Sequence, residues 1–262
     1  MVLHQIANSY GNYNYNCFIY IDDAYAENLA VSHFHSNYEL IYAMDGETEI
    51  TLNGRTDTIS KGELILVSPF DIHSLVLGKG ARTWIGVFSE DFIMSFAEKN
   101  RNTRYSKFRC EEDIETMLKE KLFFEGQPEH YMMKACLYMV CNECVKNADA
   151  YKTGKGDDFI TSVTQYISEN LAEDIKLIDI AEALGYEYHY FSSLFHKAFS
   201  MNFKSFINIF RFDSACKMLS NKKTDISAVC EACGFGSSRN FNRVFKQLSG
   251  ITPSEYKKIV EK

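Results

Sequence analysis

The sequence predicts an α+β protein of two domains, an N-terminal β-barrel or jelly roll with packed helices followed by an all-α domain with two helix-turn-helix units. Three observations carry this. Short β-rich runs separated by turns fill residues 1–90, a helical period takes over from about residue 91, and one helical pattern recurs at an offset of 49–50 residues. Charge follows the same division. Residues 155–262 hold 14 Lys and Arg against 13 Asp and Glu, whereas residues 1–154 hold 14 against 22, within a chain of net charge −7.

In chain order, "YELIYAM", "ETEITLN", "RTDTI", "GELILVS" and "RTWIGVFS" read as strands, with Asp45-Gly46 and Asn53-Gly54 as hairpin turns. Strands at this spacing without intervening helices suggest a small closed barrel. Next come two apolar helical stripes, Ile114/Leu118/Leu122 and Leu137/Val140/Cys144. They exceed what a solvent-facing helix needs, so helices over 112–124 and 131–145 are expected to pack on the barrel or on another copy of it. A homodimer interface is expected there. The polar stretch 148–158 reads as a linker, dividing a domain of residues 1–147 from one of residues 159–262. It is short and leaves the second domain free to change orientation.

After a helix marked by Phe159, Val163, Tyr166 and Ile167, the segments 177–199 and 226–249 align with each other. "IAEALGY" matches "VCEACGF", and Phe191, Leu194 and Phe195 match Phe241, Val244 and Phe245. A small residue on one helix and a glycine turn let two helices cross closely, the geometry of a helix-turn-helix. In the second unit, Phe241, Val244, Phe245 and Leu248 form the buried stripe, and Arg239, Arg243 and Lys246 fall about 140–200° away on the helical wheel. Ser238, Asn240 and Asn242 flank them. Arg and Asn donors suit guanine and adenine edges in the major groove, and Lys246, with Lys222 and Lys223, suits phosphates. The equivalent positions of the first unit are His189, Ser192, Ser193 and His196, short or weakly basic, so the second helix should discriminate more.

Residues 159–258 resemble the AraC/XylS family of bacterial transcription regulators, most specifically in "GFGSSRNFNRVFK" and the terminal "GITPSEYKK". The resemblance implies a seven-helix domain with two recognition helices on one face of an operator duplex, and RNA polymerase as a further partner. The N-terminal "HFHSNYEL", with His33, His35 and Glu39, followed by His73, is similar to the cupin barrel, where the four equivalent side chains hold a transition metal in enzymes. "PFDIHSLVL" lacks the Gly and Asn of the second enzyme motif. The four residues are therefore expected to line an effector pocket or a buried hydrogen-bond network, with no cofactor and no enzymatic activity. A metal-binding cupin enzyme fused to a DNA-binding domain is the alternative.

Trp84 and Arg82 alternate on one strand face, and an aromatic platform beside Arg, His and Glu would suit a sugar. A core role for Trp84 is the competing reading. A ligand-responsive activator of a sugar or small-metabolite operon is thus the expected function. Two C-x-x-C spacings among eight cysteines sit on apolar stripes and read as reduced, buried thiols. The N-terminus shows no signal-peptide pattern and no run of about 18 apolar residues occurs, which points to a cytoplasmic protein without a membrane span.

Overall fold

The computed structural model describes residues 3–4, 17–22, 29–30, 32–101, 103–124, 128–152, 155–199, 201–219 and 224–260. Two sheets face each other in the N-terminal domain. One runs β1 (Leu3–His4), β3 (His33–Phe34), β8 (His73–Leu77), β5 (Glu47–Leu52), β6 (Arg55–Ser60). The other runs β2 (Cys17–Asp22), β9 (Arg82–Phe88), β4 (Tyr38–Asp45), β7 (Leu64–Val67). Asn53 and Gly54, both at positive φ, close the β5–β6 hairpin as a mirror-image turn requires. Asp45-Gly46 is not a hairpin: β4 and β5 belong to different sheets, so the chain changes layer there.

The central sheet is buried on both sides. Ile41, Ala43, Ile65, Val67, Ile85 and Val87 face the other sheet, together with Ile50, Ile59 and Leu75. Their neighbours Leu40, Tyr42, Leu64, Leu66, Trp84 and Phe88 face outward. There they meet helices α1 (Met94–Asn100), α2 (Glu112–Lys121) and α3 (His130–Asn147). Leu118, Leu122, Leu137, Val140 and Cys144 are consumed in this layer. The stripes expected at a dimer interface therefore cover the protomer's own sheet. The exposed side of α3 instead carries Tyr131, Tyr138 and Val145.

Residues 150–152, expected within a linker, form β11 (Ala150–Lys152) and pair with β10 (Thr103–Tyr105). Helix α4 (Lys155–Glu169) starts soon afterwards. Then follow α5 (Leu177–Ala183), α6 (Tyr188–Phe199), α7 (Phe203–Leu219), α8 (Ile226–Ala232), α9 (Ser238–Ser249) and α10 (Pro253–Val260). The repeat is real in space: α5–α6 and α8–α9 each turn through a glycine at positive φ, Gly185 and Gly234. Helix α7 joins the units and feeds both cores, Phe206 and Phe210 into the first and Phe212, Cys216 and Leu219 into the second. Among the described residues no helix is long and apolar enough to cross a membrane. Among the described residues seven cysteines are buried and unbridged. Burial pushes the thiols of Cys110 and Cys144 up to about 12, so they are inert packing groups.

Candidate nucleic-acid interface and sensor site

Helix α9 is fixed at both ends. Ser237 Oγ accepts from the Asn240 backbone N–H (3.2 Å), and Gly250 at φ 79° ends the helix. With Phe241, Val244 and Phe245 buried, Arg239, Asn242, Arg243 and Lys246 stand in solvent on the opposite side. Arg243 donates to Asn240 Oδ1 (2.9 Å) and to Gln247 Oε1 (3.3 Å), which pre-sets the guanidinium plane. Asn240 Nδ2 donates to the Phe235 carbonyl (3.0 Å) while its Oδ1 accepts from Arg243, so the amide closes the turn and steers Arg243. Ser237 and Gln247 are additions to the sequence reading; a serine just before a helical stripe was the available signal for the first.

In α6, His189, Ser193 and His196 are exposed and Ser192 is half-buried. This helix begins with an acid: Glu187 accepts from the Tyr190 backbone N–H (2.9 Å), and the His189 and Tyr190 amides hold its carboxyl below the usual range. A carboxylate thus occupies the end of the helix where a phosphate would be welcome. Exposed Tyr188 and Tyr190 flank it. Lys222 and Lys223 lie outside the described residues.

Between the sheets, His33, His35, Glu39 and His73 converge, each 5% exposed or less. His33 pairs with His73 across β3 and β8, their rings 4.3 Å apart. Glu39 lies on the inner face of β4. Its Oε2 is 2.8 Å from His35 Nε2 and 3.4 Å from His73 Nε2. Burial opposes the charge on Glu39, but the His73 charge and the bonds from both histidines outweigh it and hold the carboxyl well below its usual range. For His73 burial acts downward, and Glu39 with the Asp71 carbonyl outweighs it, so its pKa is raised. His73 Nδ1 donates to the Asp71 carbonyl (2.8 Å), which turns Nε2 toward the carboxylate. Two acceptors facing each other require a proton or a cation between them. His33, Glu39 and His73 each bring a ligand atom within 4.8 Å of the others, a nitrogen–oxygen set that fits a divalent transition metal, while both ring nitrogens of His35 face acceptors, Glu39 Oε2 and the Asn37 carbonyl.

Trp84 and Arg82 are not part of this cluster. They share a strand face as expected, but it is the outer one: Trp84 is fully buried against Phe123 under the helices, and Arg82 is 60% exposed beside Asp45. The sugar platform they were expected to form is absent, because Glu39 faces the other side of the same sheet.

Two segments that supply the cluster also leave it. Phe34, between His33 and His35, enters the core of the first helix-turn-helix unit, 5.7 Å from Phe206 and 6.5 Å from Phe199. Phe70 stacks on Phe210 at 4.2 Å, and Ile72 packs nearby. Phe70 has φ 64°, a conformation costing a bulky residue about 1–3 kcal/mol. It is held by its N–H donating to the His35 carbonyl (2.8 Å) and by the adjacent Asp71–Arg104 pair at 2.7 Å, both partners buried.

A closed sensor domain joined to tandem helix-turn-helix units defines a DNA-binding transcription regulator with a ligand-binding domain. Residues 18–145 match the AraC-like ligand binding domain, and residues 180–259 match a helix-turn-helix domain. The chain belongs to the AraC family of transcription regulators. It is 28% identical over 133 residues to the regulatory protein PocR of Salmonella typhimurium, covering 49% of this chain and 44% of that one. It is 21% identical over 239 residues to the Msm operon regulatory protein of Streptococcus mutans, covering 86% and 85%. A solved structure of ToxT from Vibrio cholerae overlays with a TM-score of 0.46 at 15% identity, covering 93% of this chain and 97% of that one.

Proposed function

We propose that this regulator reads its operator chiefly through Arg239 and Arg243 on α9, with Lys246 on phosphate and α6 as the weaker head. The observation behind it is the fixed, outward, all-basic set of charges on α9 against the acid-led α6. In-vitro selection from random duplex DNA, followed by titration of the enriched sequences, tests the reading. Failure to enrich any sequence overturns it.

In this reading the chain is a non-enzymatic activator acting in the cytoplasm, with RNA polymerase as its second macromolecular partner and a homodimer as its working form. Tyr131, Tyr138 and Val145 on α3 recur every seven residues, the repeat of paired helices, and support self-association through that face. Sedimentation of Tyr138→Glu against the parent tests it; a parent that is monomeric at micromolar concentration rejects it. The effector is a small polar molecule held at His33, His35, Glu39 and His73. With Trp84 in the core, a sugar loses the stacking surface expected of that residue. A thermal-shift screen of small metabolites addresses the class, since a ligand of the folded state stabilises by mass action. The converging donors favour one further reading, a metal-loaded barrel, which elemental analysis of the purified chain decides.

A further inference from the structure

The residues of the sensor cluster alternate in sequence with residues that reach the DNA-binding domain. His33 and His35 flank Phe34; Asp71 and His73 flank Ile72, and Phe70 precedes them. Strand geometry sends neighbours to opposite sides, so one short backbone serves the cluster and the first helix-turn-helix core at once. The Phe70 N–H bond to the His35 carbonyl ties the two segments into one unit. Phe34, Phe70 and Ile72 all fall in the core shared by α4, α6 and the first half of α7, and none in the core of α8, α9 and α10. On the second half of α7, Lys217 meets Glu90 of the sensor in a half-exposed pair at 3.6 Å, which is weak in water. Clefts of about 270 and 940 Å³ open on either side of the aromatic contact, so the first unit rests on a narrow pivot.

We propose that the sensor reports its state to the first helix-turn-helix unit alone, through Phe34, Phe70 and Ile72, and that the second unit keeps its place on α7 whatever the sensor holds. This rests on the reading of the histidine–glutamate cluster as the sensing site. In mechanical terms, a change at Glu39 shifts the His33–His35 and Asp71–His73 backbones, and the rings of Phe34 and Phe70 carry that shift to Phe199, Phe206 and Phe210. The spacing of the two heads, rather than the chemistry of either, is then what the effector sets.

Amide hydrogen exchange on the full chain tests this without an operator or an effector. The probe is Glu39→Gln, which keeps the side chain's shape and removes its charge. Exchange in residues 188–199 should change by about threefold or more while residues 238–249 stay within error of the parent. Adding Phe34→Leu and Phe70→Leu should abolish the response of 188–199 to Glu39→Gln. If Glu39→Gln opens the barrel itself, seen as fast exchange over residues 38–45, His35→Gln replaces it as the gentler change with the same two expectations. Equal changes in both recognition helices, or none in either, overturn the proposal. A response that survives loss of both phenylalanines overturns the route. Because no DNA is present, a failed operator selection would count against the DNA-reading assignment and leave this result standing.

Discussion

The two helix-turn-helix units share one pattern of helices, one turn glycine and the same buried aromatic positions, yet they are finished differently. The second is self-contained: α9 has a serine at its start, a left-handed glycine at its end and three exposed cations. The first borrows part of its core from the sensor and starts its recognition helix with a carboxylate. In the reading proposed above, one unit holds DNA and the other is moved. On that reading a duplicated architecture divides affinity from control by changing a few surface and seam residues while the fold is kept.

The turn glycines give the largest expected difference. Both require positive φ, which costs an alanine about 1–2 kcal/mol. At Gly234 a Cβ would also lie 2.4 Å from the Leu171 carbonyl oxygen, whereas at Gly185 nothing lies within 4 Å. Gly234→Ala should therefore destabilise the C-terminal domain by about 1–3 kcal/mol more than Gly185→Ala. Denaturant unfolding of the two variants measures this, and equal losses would mean the tandem turns are equivalent.

Next in size is base reading. On the selected operator Arg243→Ala should lose about 1–3 kcal/mol and relax the preference at one base pair. Lys246→Ala should weaken all sequences alike and reduce the salt slope by about one unit. Ser193→Ala on α6 should matter much less than either. Anisotropy titrations on substituted operators at several salt concentrations separate the three, and a dominant Ser193 would reverse the ranking of the heads.

Capping comes third: Ser237→Ala should cost about 1 kcal/mol of stability, since the first N–H groups of α9 lose an acceptor. Helix α9 fraying by hydrogen exchange, with α6 unchanged, is the reading expected. The smallest effect belongs to Glu187→Gln, which removes the carboxylate at the start of α6. DNA affinity should rise slightly at low salt and converge with the parent at high salt; an unchanged affinity at low salt would mean that α6 does not approach a phosphate.

The helical half was readable in the sequence because a 3.6-residue stripe, a turn glycine and a repeat each over-determine the same elements. Period alone placed Arg239, Arg243 and Lys246 on the exposed face of α9, where they stand. The barrel was readable as strands but not as layers. Alternation places Arg82 and Trp84 on one face, yet cannot say which layer covers it when both faces are buried. The same ambiguity left open whether the stripes of α2 and α3 cover the barrel or another copy of it, and they cover the protomer's own sheet. The bond of Asn240 to the Phe235 carbonyl was not legible, because a backbone partner is something no residue letter reveals. Phe34 and Phe70 stand as single aromatics in polar surroundings, so nothing in the local pattern marks them as belonging to the other domain's core.

The seam has a practical side for anyone preparing this protein. A ribosome finishes the barrel before the first recognition helix has emerged, and until then Phe34, Phe70 and Ile72 face water as one apolar patch. The same patch would be laid bare in an expression fragment ending near residue 152. Such a fragment should be sticky and poorly soluble, and a fragment of residues 201–262 should be no better, since it would lay bare Phe206, Ile207, Ile209 and Phe210 on the first half of α7. Replacing the two phenylalanines with polar residues is the natural remedy when the sensor is wanted by itself.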